Sequence, residues 1–413
     1  MNLVITTNGP GEVYTWVRPF IKYIRDSQAA EVWIFLTPCM FAGGNEKRVL
    51  GELEGISCIF TAGKTLRYAV AGFKPAGMPS GVIDAVLCLG GDWTYAGILA
   101  KRFKCPCYIY CERIGGKIKK AAVYFTASAS LAGKLAGQGA DANKVICAGS
   151  FVEEAVKPEE EREAVRESVG INDSRLLINI FPGSRYRWLE YSIPFFIKVV
   201  ECLPDSLAVV FTISPFISKK ELKNALDICF KGDWNIAGEN DKYFNIRIGG
   251  TFFTFFTGNQ YDAMSASDLA VALPGSSNIE LAVLGVPTFV VLPLNYPERI
   301  PVPGVFEYLC RLPIVGKLIK RKLVIPGILN RLAFVSPVNR EAGREIFPEM
   351  TGILKPQKVA AAITEICRSG IREIKAGIPG RFSRGDAVTE QGCKKKASQV
   401  IFDKIKADIS VPE

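Results

Sequence analysis

The chain has 413 residues, 48% of them hydrophobic and 22% charged, which is enough apolar material for two packed cores of roughly 150–200 residues and argues against extended disorder. It contains no histidine, so Ser-His-Asp and Cys-His catalysis, histidine metal sites and histidine proton transfer are excluded together, leaving Asp, Glu, Lys, Tyr or Cys for acid–base work. The net charge of +10 points to an anionic partner without choosing among phosphates, nucleic acid and an acidic lipid surface.

The first apolar run, "NLVITT", reads as a strand, and "TNGPGEVYTW" after it as a turn into a helix. The turn is not a G-x-G-x-x-G fingerprint. As the first junction of an open parallel sheet it would bring Asn8, Gly9, Gly11 and Glu12 to the ligand-facing crevice; a tight turn with a polar helix start explains them equally well. No secretory apolar region follows Met1 and the twelve cysteines are irregularly spaced, so a reducing cytoplasm is the expected compartment. The tightest group, Cys105, Cys107 and Cys111 in "CPCYIYCER", lacks paired CxxC spacing and reads as a buried strand rather than a metal site.

Further short runs, "EVWIFLT", "DAVLCLG", "CPCYIYC", "AVYFTAS" and "KVICAG", alternate with helix-length stretches, the pattern of a parallel sheet with crossovers. In "DAVLCLGGDWTYAGILAKR" a strand ends in Gly90-Gly91 and presents Asp92 at its carboxyl end, where ligands of open α/β sheets collect. Asp92 there could take a proton from an attacking hydroxyl, with Trp93 and Tyr95 walling off water; it could equally cap the following helix. A charge-dense helical segment near residues 155–172 marks the hinge between two domains.

Beyond it, "LLINIFPG", "LAVVFTIS", "LAVALPG" and "TFVVLPL" repeat the pattern. Two of these strands end alike, in "NIFPGSRYR" and "VALPGSSNI". A Pro-Gly-Ser turn before a helix aims unpaired backbone N–H groups and the positive dipole end at the strand edge, a ready anion site. Glycine allows close approach and the serine hydroxyls can bond a phosphate or cap the helix. Gly183, Ser184, Arg185, Gly275, Ser276 and Ser277 are therefore candidates for a nucleotide diphosphate, with Arg185 and Arg187 supplying bidentate charge. Glu280 would repel a phosphate, so it would contact neutral hydroxyls such as a ribose, or else close a capping box with Ser277.

From Tyr308 to Arg340 there are seven basic residues and no acidic one, interleaved with Leu, Ile and Val. The stretch suits a lipid interface or a solvated helix pair on the core. Pro313 and Pro326 exclude one long helix, and sparse aromatic residues make nucleic acid an unattractive partner. No apolar run reaches the roughly 18–20 residues that cross a bilayer.

Taken together, several stretches resemble lipid-A-disaccharide synthase, a two-domain GT-B glycosyltransferase family. "FPGSR" at 181–185 is similar to that family's LPGSR, and "LPGSSNIELAVLGVPTFVVLPLN" to its SGT-x-x-LE segment and the strand that follows. In "FVSPVNREAGREIFPEMTG" Asn339, Ala342, Gly343, Arg344, Glu345, Pro348 and Glu349 fall in family order, and "GGDWTYAGILAKR" resembles the segment with the family's proposed catalytic aspartate. The resemblance implies an α/β GT-B fold, two Rossmann-like domains facing across a cleft: residues 1–165 on the acceptor side, 166–365 binding the UDP-sugar, and helices in 366–413 returning to the first domain. It implies inverting transfer of an acylated glucosamine from a UDP-linked donor to the 6-hydroxyl of an acylated glucosamine phosphate, a hexosyltransferase step with no cofactor and no obligatory metal. By carry-over Asp92 is the base, Arg185 and the Gly275–Ser277 turn face the UDP, Glu280, Asn339, Arg344 and Glu349 line the donor side, and Asn8, Gly9, Gly11 and Glu12 the acceptor side. The partners implied are a UDP-sugar donor, a lipid-linked sugar acceptor and the inner face of the cytoplasmic membrane, reached through 308–340. A homodimer is compatible with this reading.

The chain departs from the family pattern at three places. "GPGEVYTW" replaces GE-x-SGD, Gly149-Ser150 stands for an expected glycine-histidine pair, and Trp188 stands where a glutamate often follows GSR. These fall mostly toward the acceptor side. A glycosyltransferase with another acceptor, a UDP-sugar 2-epimerase of the same architecture, which generally employs histidine, and a noncatalytic membrane-surface homologue are the rival readings.

Overall fold

The computed structural model describes residues 1–27, 30–39, 42–114, 121–171, 173–295, 333–379 and 395–410. The chain divides into two compact units, Met1–Ala155 with Asp386–Glu413, and Val156–Gly385.

The first unit is built on seven parallel strands: β1 (Asn2–Thr7), β2 (Glu31–Leu36), β3 (Ile56–Phe60), β4 (Ala85–Cys88), β5 (Cys107–Cys111), β6 (Val123–Thr126) and β7 (Val145–Cys147), ordered β3-β2-β1-β4-β5-β6-β7. Helices cover both faces of such a sheet, so its central strands are continuous apolar runs rather than alternating ones. Leu3, Val4 and Ile5 of β1 and Val86, Leu87 and Cys88 of β4 are all fully buried, with Val4 opposite Val86 in register. The helix after β1 runs from Pro10 to Ser27 with a π-helical turn at Val13–Val17, which rotates its buried face. Its Phe20 meets Phe151 and Phe402 edge to face. Phe402 belongs to the terminal helix Ala397–Ser410, which is fastened to this unit by Ser398, donating N–H and Oγ to Glu154 at 3.0 and 2.5 Å, and by the Tyr108 hydroxyl donating to Asp408 at 3.1 Å.

The second unit has eight strands: β8 (Leu176–Phe181), β9 (Leu207–Thr212), β10 (Trp234–Glu239), β11 (Tyr243–Ile248), β12 (Thr251–Phe256), β13 (Leu269–Ala272), β14 (Thr288–Pro293) and β15 (Glu349–Gly352), ordered β10-β11-β12-β9-β8-β13-β14-β15. All pair in parallel except the β10-β11-β12 meander. Its core is aromatic and aliphatic, with Phe211 and Phe255 stacked at 4.9 Å and helix Tyr186–Val200 burying Leu189, Ile193 and Phe196 against the sheet. Asn179, fully buried in β8, is satisfied by Ala263 O, Ser267 Oγ and the Thr212 hydroxyl, as a buried amide must be.

The expected pair of Rossmann-like α/β domains is thus what the chain forms. Strands β3, β10, β11, β12 and β15 were not anticipated. The β10–β12 meander interrupts its apolar residues with polar ones, and its β11–β12 turn is Gly249-Gly250, both at positive φ (54° and 97°); β3 and β15 are short strands with few fully buried residues. Among the described residues no helix is long and apolar enough to cross a membrane.

Candidate functional site

In the second sheet the chain order reverses between β8 and β13, which pair in parallel from Leu269↔Ile178 to Ala272↔Phe181. Such a switch point leaves a crevice at the carboxyl ends of its two strands. Both Pro-Gly-Ser turns emerge there, β8 leading through Gly183, Ser184 and Arg185 into helix Tyr186–Val200, and β13 through Gly275 into helix Ser276–Val283. The first turn packs against the end of the second strand: Gly183 has φ 114° and a Cβ on it would stand 3.2 Å from Leu273 Cδ1, so glycine lets the first turn approach the residue before the second.

The serines do not cap these helices, contrary to one of the readings open in the sequence. Arg185 occupies the cap position of the first helix with no side-chain cap bond. At the second, Asn278 braces the turn instead, its Oδ1 accepting from Gly275 N–H at 3.2 Å and its Nδ2 donating to Leu273 O at 3.1 Å. Among the described residues the hydroxyls of Ser184, Ser276 and Ser277 have no hydrogen-bond partner, and Ser276 is exposed. The alternative capping box of Ser277 with Glu280 is likewise absent. Glu280 is 3% exposed and accepts a 2.6 Å bond from Gln260 Nε2, on helix Gln260–Ala266. Arg185 is half-buried and Arg187 exposed on the first turn of their helix.

Residues from the 334–352 segment form a brace beside β14. Asn339 is fully buried, donating to Phe347 O and Glu349 Oε1 (both 2.7 Å) and accepting from Ile346 and Phe347 N–H. Its amide is saturated, which leaves nothing to offer a ligand directly. Glu349 also accepts from Val335 N–H at 2.7 Å and Ser336 N–H at 2.8 Å, so it pins the start of helix Pro337–Ala342. Arg344 is exposed and donates to Gly377 O at 3.3 Å.

The first sheet reverses between β1 and β4, and Asn8, Gly9, Gly11 and Glu12 follow β1 at that point. Gly90 and Gly91 follow β4 with φ 107° and 85°. A Cβ on Gly90 would lie 2.7 Å from Glu12 Cγ, and one on Gly91 2.5 Å from Thr37 Oγ1 and 3.5 Å from Asn8 Cγ. The structure therefore gathers Asn8, Glu12, Thr37 and the Gly90-Gly91 turn into one close-packed edge, and Gly9 joins it through an N–H bond to Asn8 Oδ1. Asp92, next in line, is exposed and caps helix Trp93–Phe103 by accepting from Thr94 N–H at 2.8 Å.

Sequence reasoning missed a neighbouring cluster. Glu112, just past β5, accepts from the Tyr110 hydroxyl at 2.8 Å and from Ser150 Oγ at 3.1 Å, while Tyr110 receives Phe151 N–H and packs edge-on to Trp16 at 5.1 Å. Burial and the adjacent Glu112 charge push the Tyr110 phenol well above its ordinary value. Its only signal in the sequence was the Gly149-Ser150 departure. Cys107 and Cys111 are buried in β5, whereas Cys105 is half-buried just before it; burial pushes all three thiols up to about 12. Most of the basic apolar stretch 308–340 lies outside the described residues.

Two Rossmann-like α/β units of this kind define the GT-B class of fold. A UDP-GlcNAc 2-epimerase from Neisseria meningitidis bound to UDP-GlcNAc superposes on the chain with a TM-score of 0.52 at 13% identity, covering 98% of this chain and 100% of that one. An S. aureus MnaA–UDP co-structure gives 0.52 at 13% identity, covering 100% and 97%. At the level of sequence, the family described as lipid-A-disaccharide synthetase matches residues 145–296, the segment that holds both Pro-Gly-Ser turns. The lipid-A-disaccharide synthase of Synechocystis sp. is 24% identical over 247 residues, 59% of this chain and 52% of that protein. That of Syntrophus aciditrophicus is 24% identical over 243 residues, 56% and 53%. The chain spans about half the length of the curated relatives it matches. It is a GT-B-fold chain distantly homologous to lipid-A-disaccharide synthase.

Proposed function

We propose that the chain is a UDP-sugar enzyme that holds the diphosphate of its donor between the two Pro-Gly-Ser turns of the second sheet. The observation that carries this reading is the emergence of both turns from neighbouring strands at the β8/β13 switch point, with three serine hydroxyls that have no hydrogen-bond partner among the described residues. Helix N-termini, small hydroxyls and Arg185 together supply donors to phosphate oxygens, and each charge-assisted bond is worth about 1.5–3 kcal/mol. Glu280, held by Gln260, is the proposed ribose contact, and Asn339 with Glu349 sets the edge of the sugar side by positioning rather than contact.

The reaction that fits best is glycosyl transfer with inversion. Asp92 takes the proton of an acceptor hydroxyl, that oxygen bonds to the anomeric carbon, and the bond from that carbon to the UDP oxygen breaks. The departing negative charge is stabilised by the helix termini and Arg185. Asn8, Gly9, Gly11 and Glu12 are the proposed acceptor side. A lipid-linked glucosamine acceptor at the inner face of the cytoplasmic membrane is the finer form, supported by the named relatives. The departures at the amino-terminal turn and at Gly149-Ser150 favour a different acceptor. Epimerisation at C2 is the second reading, because a UDP-GlcNAc 2-epimerase shares the fold over nearly the whole chain; its proton transfers would fall to carboxylates.

The test is calorimetric titration with UDP, followed by incubation of UDP-GlcNAc and UDP-diacylglucosamine with and without the monosaccharide lipid acceptor. Acceptor-dependent UDP release supports transfer, and formation of the C2 epimer without acceptor supports epimerisation. Failure to bind UDP removes both.

A further inference from the structure

The Tyr110–Glu112–Ser150 cluster of the first unit takes no part in the chemistry proposed above. Three segments build it: Glu112 follows β5, Gly149 and Ser150 follow β7, and Trp16 comes from the π-helical turn of the helix after β1. Glu112, Gly149, Ser150 and Trp16 are half-buried, whereas Tyr110 is 1% exposed. The cluster stands on the same carboxyl edge as Asp92, since Cys88 lies opposite Ile109 in register, and the chain reaches Asp92 and Glu112 a few residues beyond that pair.

Packing alone does not account for Glu112. The Tyr110 hydroxyl already ties β5 to the segment after β7, lying 3.2 Å from Gly149 O and receiving Phe151 N–H at 3.1 Å, so an apolar residue at 112 would keep that joint. A half-buried carboxylate added to it costs desolvation free energy. Its two hydroxyl donors, Tyr110 at 2.8 Å and Ser150 at 3.1 Å, both fall on Oε1, which fixes the plane of a group able to accept about four. The raised Tyr110 phenol stays protonated and keeps donating. Ser150 Oγ accepts only Val152 N–H, at 3.2 Å, among the described residues, so that oxygen keeps one acceptor lone pair. Beside them stands the indole of Trp16, its ring centroid 5.1 Å from that of Tyr110.

We infer that Glu112, Ser150 and Trp16 form a subsite for a sugar ring with unacylated hydroxyls, the carboxylate and the Ser150 oxygen accepting from ring hydroxyls while the C–H face of the ring lies on the indole. Oriented acceptors beside an aromatic ring match the two surfaces of a pyranose, polar at its rim and apolar on its faces. A phosphate would be repelled by Glu112. The two hydroxyl bonds already spread the carboxylate's charge, which suits further neutral donors better than an ammonium. The inference rests on the reading of this edge as the acceptor side, and it narrows the acceptor to one recognised through free hydroxyls, because a site built to bond a hydroxyl rejects an analogue that lacks it.

The experiment is titration of the full chain with N-acetylglucosamine, followed by saturation-transfer-difference NMR and tryptophan fluorescence, with and without UDP. In the wild type, saturation should reach the ring C–H protons of the sugar, and its 3,4-dideoxy analogue should bind about tenfold or more weakly. Glu112→Gln and Trp16→Leu should each weaken the sugar by about tenfold and leave UDP affinity unchanged, since neither residue is among the proposed diphosphate contacts. The dideoxy comparison uses the wild type, so it stands even where a variant fails to fold. Equal binding of the sugar and its dideoxy analogue, wild-type binding by both variants, tighter binding of ethanolamine than of the sugar, or no sugar binding at all would each overturn the inference. UDP titration of the wild type separates the two proposals: sugar binding that depends on Glu112 in a chain that does not bind UDP supports the subsite and removes only the enzyme reading, whereas UDP binding without sugar binding removes only this one.

Discussion

At the carboxyl edge of the second sheet, β8 and β13 run into proline, glycine and serine, with Arg185 beside them; at the same edge of the first sheet, the segments after β1, β4 and β5 bring up Glu12, Asp92 and Glu112. Both edges carry helix starts, but one adds serine hydroxyls and an arginine where the other adds exposed or half-buried carboxylates. The two units share a topology around their switch points, so fold alone does not assign their roles. The residues placed on that common edge differ, and the roles proposed above follow that difference. A donor edge suits a departing diphosphate, and an acidic edge suits the removal of a proton.

The contrast is broken most directly at Asp92. Asp92→Asn keeps an oxygen for Thr94 N–H and so keeps the helix cap, but removes the proposed base. Turnover should fall by about 10²–10⁴-fold while calorimetric UDP affinity stays within a factor of about two of wild type, because the proposed diphosphate contacts do not include Asp92. Equal loss of both quantities would mean that the two edges do not divide the work. Asp92→Ala should add a stability loss of about 1 kcal/mol from the lost cap.

Arg185→Ala is the converse variant. UDP affinity should weaken about tenfold to a hundredfold, the equivalent of about 1.5–3 kcal/mol, and added inorganic pyrophosphate should compete less well in the same titration. Ser277→Ala should cost less, about threefold to tenfold, through one neutral hydroxyl. An unchanged affinity in both would leave the Pro-Gly-Ser turns as ordinary strand-to-helix connections.

A smaller effect sharpens the comparison through glycine. Gly90→Ala must accept a positive φ and displace Glu12, whose Cβ and Cγ lie 2.8 and 2.7 Å from the new atom. The expected loss is about 1–3 kcal/mol in denaturant unfolding. Gly275→Ala, with extended φ 174° and nothing within 4 Å of its would-be Cβ, should be nearly neutral.

Strand periodicity and the two repeated turns were legible in the residues because each depends on local chemistry: continuous apolar runs for strands buried on both faces, and Pro-Gly-Ser for strand-to-helix junctions. Caps were less so. Serine at the start of the helix is a good cap by propensity, yet Asn278 two positions on from Ser276 takes the work, because its longer amide reaches both Gly275 N–H and Leu273 O. The burial of Glu280 against Gln260 and the Tyr110–Glu112–Ser150 cluster depend on segments 20 and 38 residues apart, which no short window of sequence brings together. The β10–β12 meander was missed for a related reason: its partial burial breaks the long apolar runs by which parallel strands announce themselves.

The mildest expected effect is also regional. Burial raises the thiol of Cys88 to about 11 and those of Cys105, Cys107 and Cys111 to about 12, all on or beside β4 and β5, and that of Cys367 in the second unit to about 11. Their folded values lie above the unfolded value of 9.0, so the folded chain binds more protons than the unfolded one between those limits. Stability from this source is therefore full below about pH 9 and is lost as pH rises toward 11–12. The denaturant midpoint should fall over that range, and Cys107→Ala should make the fall shallower. A slope unaffected by Cys107→Ala would place the alkaline sensitivity elsewhere in the chain.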